Sequence, residues 1–426
     1  MSKPLLITGC AELLTLRGPA PRRGRALSDP GAIRDAALVV SEGRIAAVGR
    51  RRDIEGHPLA RKASKLDLGG SVVLPGFVDS HTHLVFAASR ADEHEQRVSG
   101  TTYEEIAHAG DGILSSVRAL RRASFEELEA RALIALRRFA EHGTTTIEAK
   151  SGYGLDAASE LKTLRLHRAV AAKQPINIIS TFLGAHVVPP EYRKRHNGAD
   201  AYIDFLARKL LPRVAKEGLA EFCDVFCDRG AFTVSQARKL LTAARACGLG
   251  LRMHAEQLAR TGATQLAVEL HAASADHLEQ INAADIRALA RSDTVATLLP
   301  GCGMHLGAHH SAPARRLIEA GAIVALATDY NPGTCPTLSM PMILSLACAQ
   351  LRMTPAEAIA AATINAAYSL RRQDRIGSLE VGKYADLAAF DVADHREIPY
   401  YFGVNLCVLT MKRGRVIYSR GVGGRG

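Results

Sequence analysis

Two histidines one residue apart, His81 and His83, close the segment LPGFVDSHTH at positions 74–83. In an extended chain, residues i and i+2 project to the same side, so both imidazoles face one point. Two neutral imidazoles converging on one locus suit a divalent transition metal. A lone HxH pattern often arises by chance; one that ends a hydrophobic run directly after LPGFVD is a far more specific signal. His186, His254, His277 and Asp329 recur at or near the ends of other apolar runs. Singly, each is explained as well by a cap or a packed core residue. Together they put metal-capable groups at repeated strand ends, where an apolar run has no other use for them.

The elements that must position these groups follow from the alternation of apolar runs with helical patterns. Strands are expected at 72–83, 144–151, 176–186, 223–228, 251–256, 273–278, 295–300 and 324–329. Several are continuously apolar, as in a parallel sheet buried on both faces. Between them, Ser124-Phe125-Glu126-Glu127 and Thr233-Val234-Ser235-Gln236 have the form of capping boxes. After the eighth strand, Thr354-Pro355-Ala356-Glu357 combines an N-cap, a proline at the first helical position and a glutamate at the third. Eight β/α units predict a (β/α)₈ TIM barrel over 72–376, with its site at the C-terminal strand ends. Residues 1–71 and 377–426 carry short alternating runs, turn signals and no helices between them. They predict the two parts of one small β-sandwich-like domain beside the barrel.

Composition narrows the function. The chain has 426 residues, 47% hydrophobic and 23% charged, an ordinary globular balance. No apolar run approaches the roughly 18–20 residues of a membrane span. The apolar stretch before Cys10 is too short for a signal peptide and reads as a first strand. The eight cysteines are scattered without a CxxC pair, which suits reduced thiols and a cytoplasmic location. Cys223 and Cys227 read as small buried hydrophobes. A net charge of +11 invites a nucleic-acid reading, but the basic residues are spread out. Tryptophan is absent and aromatics make up 5%, so stacking platforms are scarce. A solvated basic surface, attractive to an anionic metabolite, is the expectation, with no nucleic acid and no membrane as partner.

The segments HTHLVFAASR, GTTYEEI, TTIEAKSGYGLD, LGAHVVPPEY, DVFCDRGAF, MHAEQL, ASADHLE, VATLLPG and ATDYNPGT span residues 74–334, and GSLEVGKYADL follows. In this order they resemble the imidazolonepropionase family of the amidohydrolase superfamily. HTH and the late aspartate are shared across the superfamily; KSGYGLD and TDxNPGT are particular to the family. The resemblance implies an amidohydrolase-type barrel and hydrolysis of 4-imidazolone-5-propanoate to N-formimidoyl-L-glutamate in histidine degradation. It implies one divalent metal, zinc or iron, held by His81, His83, His254 and Asp329. His277 becomes a catalytic group near the metal water. Arg90, Tyr153, His186, Gln257, Asn331, Gly333 and Thr334 fall to the substrate, with Tyr103 as a further pocket residue. A homodimer is expected because barrels of this family generally pair.

The chemistry also follows from residue types. Opening an amide near neutral pH needs a nucleophile stronger than water, which a bound metal supplies. Asp329 can take and return the proton, His277 can stabilise an oxyanion, and Gln257, which cannot titrate, can only orient. Arg90 offers a planar fork to a carboxylate, or else pairs with Asp92 or Glu93. Lys150, which could serve as a carbamylated metal bridge, stands in a context that matches the mononuclear family, so it is left out of the metal site. The sequence departs from the family pattern at Ala88, at Asp111 in GDGI, at Asp228 and around Gly303-Met304-His305. The alternatives are another cyclic-amide hydrolase or a heterocycle deaminase of the superfamily, in which a glutamate commonly stands where Gln257 does, and a catalytically silent binding barrel.

Overall fold

The computed structural model describes residues 3–101, 105–106, 111–308 and 310–421. Four strands open the chain: β1 (Leu5–Leu14), β2 (Ala32–Ser41), β3 (Arg44–Arg50) and β4 (Ser64–Pro75). Eight follow at shorter length: β5 (Phe77–Asp79), β6 (Thr144–Lys150), β7 (Asn177–Ala185), β8 (Phe222–Cys227), β9 (Gly250–Ala255), β10 (Ser274–His277), β11 (Val295–Leu298) and β12 (Val324–Leu326). Three close the chain: β13 (Leu387–Phe390), β14 (Cys407–Lys412) and β15 (Arg415–Ser419).

Strands β5 to β12 form one parallel sheet in chain order. Every residue of β6, β8 and β9 is buried, which explains why these runs lack polar alternation. The ends of the sheet meet through main-chain contacts beyond β5 and β12. Asp329 N–H donates to His81 O at 3.0 Å, and His83 N–H to Tyr330 O at 2.8 Å. Between those bonds Thr82 and Tyr330 form a parallel bridge. The Asp79 carboxylate reinforces this seam by accepting from Thr328 N–H at 3.0 Å and from its hydroxyl at 2.6 Å. The expected helix caps form where the sequence puts them. Ser124, Thr233 and Thr354 each make a full capping box, opening helices Phe125–Glu141, Val234–Ala246 and Pro355–Ala360.

The seven remaining strands make one mixed sheet, in the order β15-β14-β13-β4-β1-β2-β3. The chain ends meet where β4 runs antiparallel to β13, from Val72 opposite Phe390 to Pro75 opposite Leu387. The sheet folds over an apolar face that includes Ile7, Leu38, Leu387 and Met411. The turn between β2 and β3 reaches across to the segment that leads into β13, Ala385 N–H donating to Gly43 O at 2.9 Å. Residues 72–75, expected as the start of the first barrel strand, belong to this sheet instead. Both strands are apolar there, so hydrophobicity alone cannot tell them apart. Gly76 divides them: its N–H donates to Asp386 O at 3.0 Å, and a Cβ at this position would overlap the Thr145 side chain.

That contact is testable. Gly76→Ala should cost about 1–3 kcal/mol, the range for forcing extra volume into a packed interior. Thermal melting should move down by a few degrees; an unchanged midpoint would show that the crossing tolerates a side chain.

Candidate active site

Each metal-capable side chain stands at the same end of the barrel. His81 and His83 lie in the extended segment after β5, His254 near the end of β9, His277 at the end of β10, and Asp329 just past β12. Nitrogens of His81, His83 and His254 all lie within 4.8 Å of one another. Asp329 Oδ1 sits 3.4 Å from His81 Nε2 and 3.5 Å from His83 Nε2. Two donors about 2.1 Å from a tetrahedral metal would themselves be about 3.4 Å apart. Among the described residues, the buried His81 Nε2 and His254 Nε2 have no hydrogen-bond partner. A buried nitrogen left without a partner is costly, and a ligated cation removes that cost. The donor set therefore fits a divalent transition metal.

The electrostatics agree. Burial, helped by neighbouring cationic groups, holds His81 and His83 well below the usual imidazole range. Neutral imidazole keeps the lone pair a metal needs. Burial pushes the Asp329 carboxyl up to about 6, against the pull of His277 and His254. Burial opposes a charge on His277, yet Glu279, at 3.8 Å, and Asp329 outweigh it and raise its pKa. His277 and Asp329 also sit at positive φ, +83° and +55°. Such strain in residues with side chains concentrates where the surroundings fix a functional group.

Beneath the histidines lies a layer that sequence reasoning missed. The Asp276 carboxylate is 2.7 Å from His81 Nδ1, and the Asp224 carboxylate is 3.1 Å from His254 Nδ1. Lys150 Nζ donates to Glu148 at 2.8 Å and to Asp224 at 2.7 Å. Arg252 donates to Ser80 O at 2.8 Å and lies 3.5 Å from Asp276. All five charged side chains are fully enclosed. Burial alone would raise the Asp276 pKa, but Arg252 and Lys150 keep it below the usual range. Lys150 is thus an ion-pair partner of the carboxylates that orient the histidines, in line with its exclusion from the metal set. The signal was present as charged residues inside apolar strands, but their direction was not readable.

One cavity is lined by His83, Arg90, Tyr153, His186, His254, Gln257, His277, Asp329, Asn331 and Thr334, with Ile113 and Phe226. It gathers most of the residues expected to meet a substrate. Arg90 is buried, and Glu93 accepts from its Nε at 2.8 Å and its Nη2 at 2.5 Å. Arg90 thus makes the ion pair with Glu93 while also lining the cavity. Gly333 lies so close that a Cβ there would overlap the guanidinium. Tyr153 stands 5.7 Å from His83 and 5.4 Å from His186, ring centre to ring centre. Its turn is pinned by Glu160, which accepts from the N–H groups of Gly152, Gly154 and Leu155. His186 Nδ1 bonds Gly152 O at 3.0 Å. The Asn331 side chain is engaged within its own loop, accepting from Gly333 and Thr334 N–H and donating to Asp329 O. Tyr103 lies outside the described residues.

A model of the amidohydrolase family matches residues 72–417. A protein named imidazolonepropionase from Symbiobacterium thermophilum is 47% identical over 422 residues, covering 98% of both chains. Another of that name, from Geobacillus kaustophilus, is 44% identical over 98% of this chain and 99% of its own. The chain belongs to the imidazolonepropionase family of amidohydrolases. The same fold appears in an adenosine deaminase from Xanthomonas campestris with bound zinc (TM-score 0.73, 18% identity, 98% of this chain and 93% of that one). Guanine deaminase from E. coli shares it too (TM-score 0.74, 15% identity, 99% and 100% coverage).

Against the imidazolonepropionase pattern, the departures fall in different places. Ala88 is exposed and lines a surface depression with Arg122 and Arg131, away from the metal-capable cluster. Asp111 pairs with Arg118 at 2.9 Å. Asp228 is buried, and its carboxylate accepts from the N–H groups of Gln257, Leu258 and Ala259 at 2.7–3.0 Å. It anchors the turn that carries Gln257, whose amide donates to Cys302 Sγ at 3.5 Å. His305 stacks on His94, ring centres 4.5 Å apart.

Since an imidazole's far nitrogen is oriented by its second partner, Asp276→Asn should weaken metal affinity by about 10–100-fold. Competition with a chromophoric chelator reads this directly. Unchanged affinity in a variant with native circular dichroism would remove Asp276 from the site.

Proposed function

We propose that the chain hydrolyses 4-imidazolone-5-propanoate to N-formimidoyl-L-glutamate, the ring-opening step of histidine degradation. The observation that carries the reading is a single cavity lined by His83, His254, His277 and Asp329 together with the buried Arg90. Relatives named imidazolonepropionase at 44–47% identity along the whole chain support the substrate.

His81, His83, His254 and Asp329 would hold one divalent metal, zinc or iron. When bound, the metal supplies Lewis acidity that brings a water's pKa from 15.7 to about 7. Asp329 then accepts the proton of the attacking water on a carboxylate oxygen. It returns that proton to the ring nitrogen as the amide C–N bond breaks, so the leaving group departs neutral. His277 donates its ring N–H to the carbonyl oxygen as negative charge develops there. Arg90, aligned by Glu93, receives the propionate carboxylate. Tyr153, His186, Gln257 and the 331–334 loop hold the ring in register, a role that also includes Tyr103 in this reading. The proposal includes a cytoplasmic homodimer. All eight cysteines are free thiols, and no helix among the described residues is long and apolar enough to cross a membrane.

Loss of substrate absorbance in the ultraviolet tests the reaction. Elemental analysis should find about one metal per chain, and Asp329→Ala should lower turnover by about 10²–10⁴-fold or more. Release of ammonia from a heterocyclic amine, with imidazolone propionate untouched, would instead establish a deaminase. Arg90→Ala should raise KM about tenfold to a hundredfold, the worth of a charged hydrogen bond to a carboxylate. An unaltered KM would sever Arg90 from the substrate.

A further inference from the structure

A second cavity, of about 860 Å³, lies at the opposite end of the barrel from the histidines, between the barrel and the small sheet. Its barrel wall is the start of β7, Asn177–Ile179, together with Arg375 and Ile376. Its other wall is the small sheet: Lys3, the β2–β3 turn with Glu42, and the β14–β15 turn with Arg413 and Arg415. The volume is that of a metabolite site.

Six cationic side chains line this space against one carboxylate, Glu42. Two of the six are already neutralised: Lys412 bonds Asp386 at 2.6 Å, and Arg372 pairs with Glu221. Lys3, Arg375, Arg413 and Arg415 have no carboxylate within ion-pair distance among the described residues. One of these four is held in place. The Arg413 guanidinium lies over the Tyr384 ring at 4.5 Å, and Arg44 lies over the same ring at 4.6 Å. Holding like charges together in a concave space costs free energy, which an anion of matching charge offsets. The cations come from both the sheet and the barrel, so a ligand here would tie the two together.

We propose that this interdomain cavity is a binding site for a small organic polyanion carrying two or more phosphate or carboxylate groups. It is separate from the hydrolytic site and does not depend on the reaction proposed for it. Among the cationic residues, Arg375 and Arg415 are both exposed and make no polar side-chain contact among the described residues, so replacing them leaves the fold intact.

The metal-loaded protein is titrated by calorimetry with fructose 1,6-bisphosphate and, separately, with tricarballylate. The expected result is saturable binding of at least one of them, with a rise in melting temperature as ligand stabilises the folded state. Whichever binds more tightly identifies phosphate or carboxylate as the preferred group. The double variant R375Q/R415Q should bind at least tenfold more weakly while keeping its circular dichroism and hydrolytic rate. Failure of both ligands to bind the parent protein would overturn the proposal. So would equal binding by the variant, or an equal melting shift with potassium chloride at matched ionic strength.

Discussion

The constraint on which the rest depends is the enclosed cluster of Glu148, Lys150, Asp224, Arg252 and Asp276. Five charged side chains are taken out of water inside the barrel, which costs several kcal/mol per ion before pairing. Pairing offsets this only if each group keeps an oppositely charged neighbour, and here each has at least one within ion-pair distance. The partners come from four different strands: β6 supplies Glu148 and Lys150, β8 Asp224, β9 Arg252, and β10 Asp276. The two carboxylates that complete the pairing also grip the inner nitrogens of His81 and His254. Barrel interior and metal site are therefore one electrostatic unit. A shift in any of these strands would expose a charge or misdirect a histidine.

The seam of the barrel extends the same logic. Between β5 and β12 the strands are too short to close the sheet alone, and the main-chain bonds at 81–83 and 329–330 complete it. Those are the residues that carry two histidines and the aspartate. Closing the seam thus sets the spacing between donors, and the left-handed backbone at Asp329 is strain absorbed by the seam's own hydrogen bonds.

The sequence made the barrel legible because its strands are continuous apolar runs and its helices begin with explicit caps. The donors were legible because HTH and a terminal aspartate stood at strand ends. Residues 72–75 join the small sheet and not the barrel for a physical reason: they are as apolar as the Phe77-Val78 start of β5, and the backbone bond and close packing of Gly76 separate the two. The pairing of β4 with β13 is a contact across more than 300 residues of sequence, and periodicity carries no information about such partners. Asp224 and Asp276 escaped because a carboxylate in a buried strand can face either the barrel axis or its helices. Asp228 and Glu160 escaped because they bind backbone N–H groups, for which side-chain type gives no spacing rule.

Where specificity resides follows from the same geometry. The metal-capable cluster is over-determined by the charged layer below it. The rest of the cavity wall is held by fewer and more local contacts: Glu93 on Arg90, Gly333 against the guanidinium, Glu160 under the Tyr153 turn and Asp228 under Gln257. Of the four departures from the family pattern, only Asp228 touches that wall, and it binds main chain without entering the cavity. Its carboxylate accepts from three backbone N–H groups and so holds the Gln257 turn in place. Ala88 lies on the surface, and Asp111 is tied to Arg118. None of these departures therefore places its own side chain in the cavity lining.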